Sequence, residues 1–221
     1  MPIGRKLVVE FIGTFFLVYT VCEATNPKTG AGSLAPLAIG AVLMVMVFAG
    51  GHVSGAHYNP AVSTAVLLRG RMLSSEWVSY VVLQLVAAVL AALLARAVSG
   101  AATAGAFAST WKVLIVEFVF TFALGYVVLN VATARGTEGN SFYGLAIGFT
   151  VAAGAFAVGG ISGGAFNPAV ALGACVLGLI KWGHYWVYLV AELLGGAAAA
   201  LVFLYTQPAE KPEGDVEAAR T

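Results

Sequence analysis

The tetrapeptide Asn-Pro-Ala-Val occurs twice in this chain, at Asn59–Val62 and at Asn167–Val170, 108 positions apart. The match is not confined to four letters. LAIGAVLMVMVFAGGHVSGAHYNPAV, from Leu37, and LAIGFTVAAGAFAVGGISGGAFNPAV, from Leu145, are identical at 13 of 26 positions. Self-similarity at one fixed offset means that a single structural unit is built twice. In an apolar chain, such doubling points to a transporter or channel architecture.

Composition sets the solvent. Apolar residues make up 60% of the 221 positions and charged residues 10%, against about 25% charged in ordinary soluble domains. The net charge of +1 offers no basic face for nucleic acid. Six long apolar stretches, at about 7–24, 34–51, 77–96, 112–133, 142–158 and 184–205, each suit a helix crossing the hydrocarbon core. Segments 25–33, 96–111 and 133–141 read as loops. The charged, Pro-containing stretch 207–221 reads as a disordered tail. One channel domain over 1–206 is expected, with repeats at about 5–100 and 111–206. Cys22 and Cys175 sit in apolar context and read as packing residues, not a disulfide.

Three spans per copy force the second copy to enter the membrane upside down, which gives an inverted repeat. Lys and Arg then divide seven to four, with Arg5, Lys6, Arg69, Arg71, Arg135, Lys211 and Arg220 on the richer side. That places both termini in the cytoplasm. The repeated motif itself lies outside the six spans. About ten residues follow Asn59 and Asn167 before a break, enough helix for half a bilayer. Glycine-rich stretches, 50–55 and 159–164, come before each motif and read as flexible approaches. Two re-entrant half-helices are therefore expected, and irregular backbone at that depth requires a polar path beside it.

The motif has a local explanation. Pro60 and Pro168 suit the first helical position, Asn59 and Asn167 suit the N-cap, and Ala61 and Ala169 allow close packing. Two positive helix ends meeting at mid-membrane disfavour cations while neutral molecules pass. On these motifs, with the starts VVEFIGTF and LIVEFVFTF and Gln84, residues 5–205 resemble an aquaporin of the major intrinsic protein family.

The resemblance implies an all-α membrane bundle of six transmembrane helices and two half-helices, assembled as a homotetramer with one pore per monomer. It needs no cofactor or metal, and no nucleophile–base set or metal-ligand spacing suggests an enzyme. Glu10, Glu117, Gln84 and Glu192 occupy equivalent places in the two copies and are expected to hold the loops before each motif by hydrogen bonds. His57 resembles the histidine at the inner half of the family's pore, and Gly163, Ala165 and Phe166 are expected to line the pore with it. By motif offset, the selectivity constriction falls on Ile39, Ala155, Gly164 and Val170. The aromatic, histidine and arginine side chains usual there are all missing, so a wide, apolar constriction is expected.

The expected activity is passive passage of water and small neutral solutes. A facilitator mainly for ammonia, urea or glycerol is one alternative, and a junctional membrane protein with little flux is another. The mixed signals are Ala171, small as in water channels, and Tyr188-Leu189, which matches neither water nor glycerol channels. A bacterial inner membrane is the expected location, with a eukaryotic intracellular membrane as the alternative.

Overall fold

In the computed structural model, the residues described are 1–105 and 108–210. Among them are eight α-helices: α1 Ile3–Ala24, α2 Ala35–Ser54, α3 Pro60–Leu68, α4 Ser74–Ser99, α5 Thr110–Ala132, α6 Tyr143–Ser162, α7 Pro168–Leu177 and α8 Tyr185–Thr206. All but α3 and α7 are long and apolar enough to cross a membrane. Helix satisfies every backbone group within one segment, which hydrocarbon demands.

The packing repeats as the sequence does. Helix α1 packs on α4 and α5 on α8, while α2 and α6 cross at the centre. At that crossing, a Cβ on Gly148 would collide with the Gly40 carbonyl oxygen. Glycine at both positions is what lets the backbones touch. The half-helices change sides: α3 packs against α8, and α7 against α4. Each is thus buried by a full span from the other copy.

Two sequence expectations need correction. The glycine-rich approaches are largely helix, since α2 runs through Ser54 and α6 through Ser162. Only five residues, 55–59 and 163–167, form each loop. Gly50 serves packing instead: a Cβ there would collide with the Tyr58 hydroxyl of the returning loop. Nor is the tail wholly disordered from 207. Pro208–Glu210 forms a 3-10 turn, held because buried Arg69, the C-cap of α3, takes up Glu210. Arg69 donates through Nη1 to the Glu210 carbonyl (3.0 Å) and through Nη2 to its carboxylate (2.5 Å). The Arg135 N–H donates to the same carboxylate at 2.6 Å. Residues 211–221 lie outside the described residues.

Candidate functional site

Asn59 and Asn167 have extended backbone and cap α3 and α7. The Asn59 side-chain oxygen accepts from the N–H of Ala61 (2.8 Å) and Val62 (3.4 Å). That of Asn167 accepts from Ala169 at 2.9 Å. The two amides are then tied crosswise. Asn59 Nδ2 donates to the Phe166 carbonyl at 2.9 Å, and Asn167 Nδ2 to the Tyr58 carbonyl at 2.9 Å. An amide nitrogen has two N–H groups, so each asparagine keeps one for another acceptor.

The loops before the caps are strained in the same places. Ala56, Tyr58 and Phe166 have φ near +50°, and Gly164 has φ +67°. Three of these four are not glycine, and such backbone persists only when its surroundings fix it. Buried Glu10 does so in the first loop, accepting from Ser54 Oγ (2.7 Å), the N–H of His57 (3.0 Å) and Tyr58 (2.8 Å), and Gln84 Nε2 (2.9 Å). Glu117 does so in the second, accepting from the N–H of Ala165 (3.1 Å) and Phe166 (2.7 Å). Among the described residues, none donates to the carbonyls of Ala56, His57, Gly164 or Ala165.

Those four residues line a narrow cavity of about 20 Å³, room for roughly one water. It shares Val21, Ile39, Ala165 and Val170 with a vestibule of about 610 Å³ at one end. At the other end it shares His57 with a vestibule of about 570 Å³. The lining is twofold throughout. Leu17/Leu124 and Val21/Val128 pair at an offset of 107, and Ile39/Ile147, Leu43/Val151, Ala56/Gly164, His57/Ala165, Asn59/Asn167 and Val62/Val170 pair at 108. His57/Ala165 alone pairs a polar side chain with an apolar one. His57 Nδ1 lies 3.1 Å from Ser63 Oγ, and its ring packs edge-on against Tyr80.

The sequence-derived residues divide accordingly. Asn59, Asn167, His57, Ala165, Ile39, Gly164 and Val170 line the narrow cavity. Ala155 and Gly163 line the 610 Å³ vestibule. Phe166 lines neither, contrary to expectation. Its ring is buried against Phe120, 5.3 Å between centroids, and over Gly154. The aliphatic walls from α1 and α5 escaped the sequence reading, though Leu17/Leu124 and Val21/Val128 repeat at the same offset as Glu10/Glu117. Gly164 also packs on Ala155, where an added Cβ would lie 3.2 Å from its Cα. Ala155 lines the vestibule, whereas Ile39, Gly164 and Val170 line the narrow cavity. The four thus do not form the wide constriction expected, because aliphatic side chains fill the section beneath the vestibule.

The major intrinsic protein family profile matches residues 1–51 and 38–203. The chain belongs to this family. It is 34% identical over 219 residues to aquaporin NIP1-3 of Oryza sativa subsp. japonica, covering 95% of this chain and 76% of the relative. Aquaporin NIP1-1 of Arabidopsis thaliana is also 34% identical, over 230 residues, with 96% and 77% covered. An aquaglyceroporin structure from Plasmodium falciparum superposes with a TM-score of 0.76 at 22% identity, over 91% of this chain and 96% of that one. The family match and six apolar helices make this an integral, multi-pass membrane protein. The curated relatives are plant proteins, so they lend no support to a bacterial inner membrane.

Proposed function

We propose that the chain is a passive channel for water and small neutral solutes, with both termini in the cytoplasm and four copies assembled as in the family resemblance. The observation that carries this reading is a narrow cavity joining two vestibules, with the N-caps of two half-helices in its wall. A solute leaving the vestibule loses hydration. Along the wall it meets free carbonyls at Ala56, His57, Gly164 and Ala165, and one N–H from each asparagine amide. These replace water's partners without holding the solute tightly, as conduction requires. The positive ends of α3 and α7 repel cations. Chemistry is no part of this role, in a family of channels rather than enzymes.

The aliphatic walls rank the solutes. Water and ammonia, which are of similar size, precede urea and glycerol, and the wide outer vestibule imposes no selection of its own. Stopped-flow measurements on proteoliposomes test this, comparing osmotic water flux with ammonia, urea and glycerol uptake in one preparation. High water flux with ammonia ahead of glycerol is the expected result. Glycerol entry as fast as ammonia entry would refute the narrow section, and permeability equal to that of empty liposomes would refute the channel.

A further inference from the structure

The buried acid of the first copy is completed by an amide. Gln84 Nε2 donates to Glu10 Oε2 at 2.9 Å and to Ser63 Oγ at 3.2 Å. At the equivalent positions of the second copy both partners change: Glu192 stands for Gln84 and Ala171 for Ser63. Helices α5 and α8 pack together, and the repeat places Glu192 beside Glu117 as Gln84 stands beside Glu10. Among the described residues, neither Glu192 oxygen receives a hydrogen bond from an N–H or hydroxyl. Both residues are 0% exposed.

Two ionised carboxylates in contact at such a site repel strongly, because the interior screens charge poorly. Two carboxyl groups this close are stable when they share a proton. We propose that Glu117 and Glu192 hold one proton as a buried ligand, with Glu192 as the acid that donates to Glu117. Glu192 then does for the second loop what the Gln84 amide does for the first. Glu117 keeps its acceptor capacity for the Ala165 and Phe166 N–H groups, 3.1 and 2.7 Å away. A bound proton thereby fixes the loop that carries Gly164.

The surroundings fit a proton that stays in place. Neither glutamate lines the narrow cavity. The other titratable groups facing the pair are Tyr185 and Tyr188 of α8 itself, with Cys175 of α7 beside the two tyrosines. Helix α5 contributes Glu117 alone, and none of these groups is cationic. Tyr188 and Tyr185 spend their hydroxyls on the Ser162 carbonyl (2.6 Å) and the Pro168 carbonyl (3.3 Å). Glu192 is thus a positioning residue acting through Glu117.

Infrared spectra of the purified protein, in H₂O and D₂O at neutral pH, test the assignment through the C=O stretch of a protonated carboxyl. The wild type should show this band, Glu192→Gln should lose it, and Gln84→Glu should gain a second. A wild type without the band overturns the proposal, as does a band that survives in Glu192→Gln. If Glu192→Gln does not elute as folded protein, Gln84→Glu decides: no added band overturns the proposal. One further arm rests on the channel reading. Water flux through the wild type should fall at alkaline pH as the pair loses its proton, while Glu192→Gln stays level. A wild-type flux that stays level while the band disappears overturns the loop-fixing role. Absence of flux in both proteins at every pH refutes the channel, and the infrared bands still decide the shared proton.

Discussion

In the first copy the re-entrant loop is tied to Glu10 by four donors, two from the backbone and two from side chains. In the second copy Glu117 takes two backbone donors, with the Ser162 side chain and another acid, Glu192, beside it. The half-helices differ at their far ends as well. Arg69 closes α3 and ties it to Thr133 and Glu210, whereas Gly178 closes α7 in left-handed backbone. Inversion copied the frame, and each side of the membrane then received its own fastenings. The fastening at the first copy's end is a network of charged and polar groups, and the one at the second copy's end is smaller.

The largest effect expected from breaking this comparison is at the first loop. Glu10→Leu leaves the His57 and Tyr58 N–H groups buried without an acceptor and should cost about 4 kcal/mol. Glu117→Leu should cost no more, since it frees the same number of backbone groups and no amide. Thermal unfolding in detergent reads this, with a thiol dye reporting when buried Cys22 and Cys175 become exposed. Equal melting temperatures for the wild type and Glu10→Leu would show that the loop holds itself.

The Arg69 network should come next. Glu210→Ala leaves Arg69 buried without its carboxylate and should cost about 2 kcal/mol. Burial pushes the Glu210 carboxyl upward, but hydrogen bonds from the Arg135 N–H and Arg69 outweigh this and hold it below the usual carboxylate range. A lowered folded-state value means stability that is present above the ordinary carboxylate value and lost as pH falls through the folded one. Melting temperature should therefore drop with acidification in that window. Glu210→Gln should flatten the drop, and an unchanged acid limb would refute the assignment.

Asn59→Ala and Asn167→Ala sharpen the symmetry. Each removes a cap and one crosswise bond, worth about 1–2 kcal/mol, and the two losses should agree closely. The last comparison concerns permeability at the wall. Ile147→Ala and Ile39→Ala each widen one end of the narrow cavity, and both should raise urea uptake in proteoliposomes. A response to Ile39→Ala alone would place selection at the end that meets the 610 Å³ vestibule only.

The sequence made legible what breaks the apolar background. The two Asn-Pro caps, the glutamates at equal offset and the count of six spans stand out because polar residues inside a membrane segment need a reason. The cavity wall did not stand out. Leu17, Leu124 and Val128 face it, yet a side chain facing lipid is just as apolar, so no periodic contrast marks the inner face. Phe166 was misplaced for a related reason. Adjacency to Asn167 said nothing of a ring that positive φ turns toward Phe120. The Arg69–Glu210 tie spans 141 positions, and nothing local in a charged tail announces such a partner.

The exchange of half-helices between copies has a consequence for biosynthesis. Helix α3 leaves the ribosome long before α8, the span that buries it, and the Phe166 carbonyl that takes the Asn59 amide is made 107 positions later. Until then α3 has only the smaller contact with α4 to dock on, so insertion and closure are separate events. A chain truncated after α4 should thus leave a cysteine placed at position 61 open to reagents, and only full-length synthesis should shut them out.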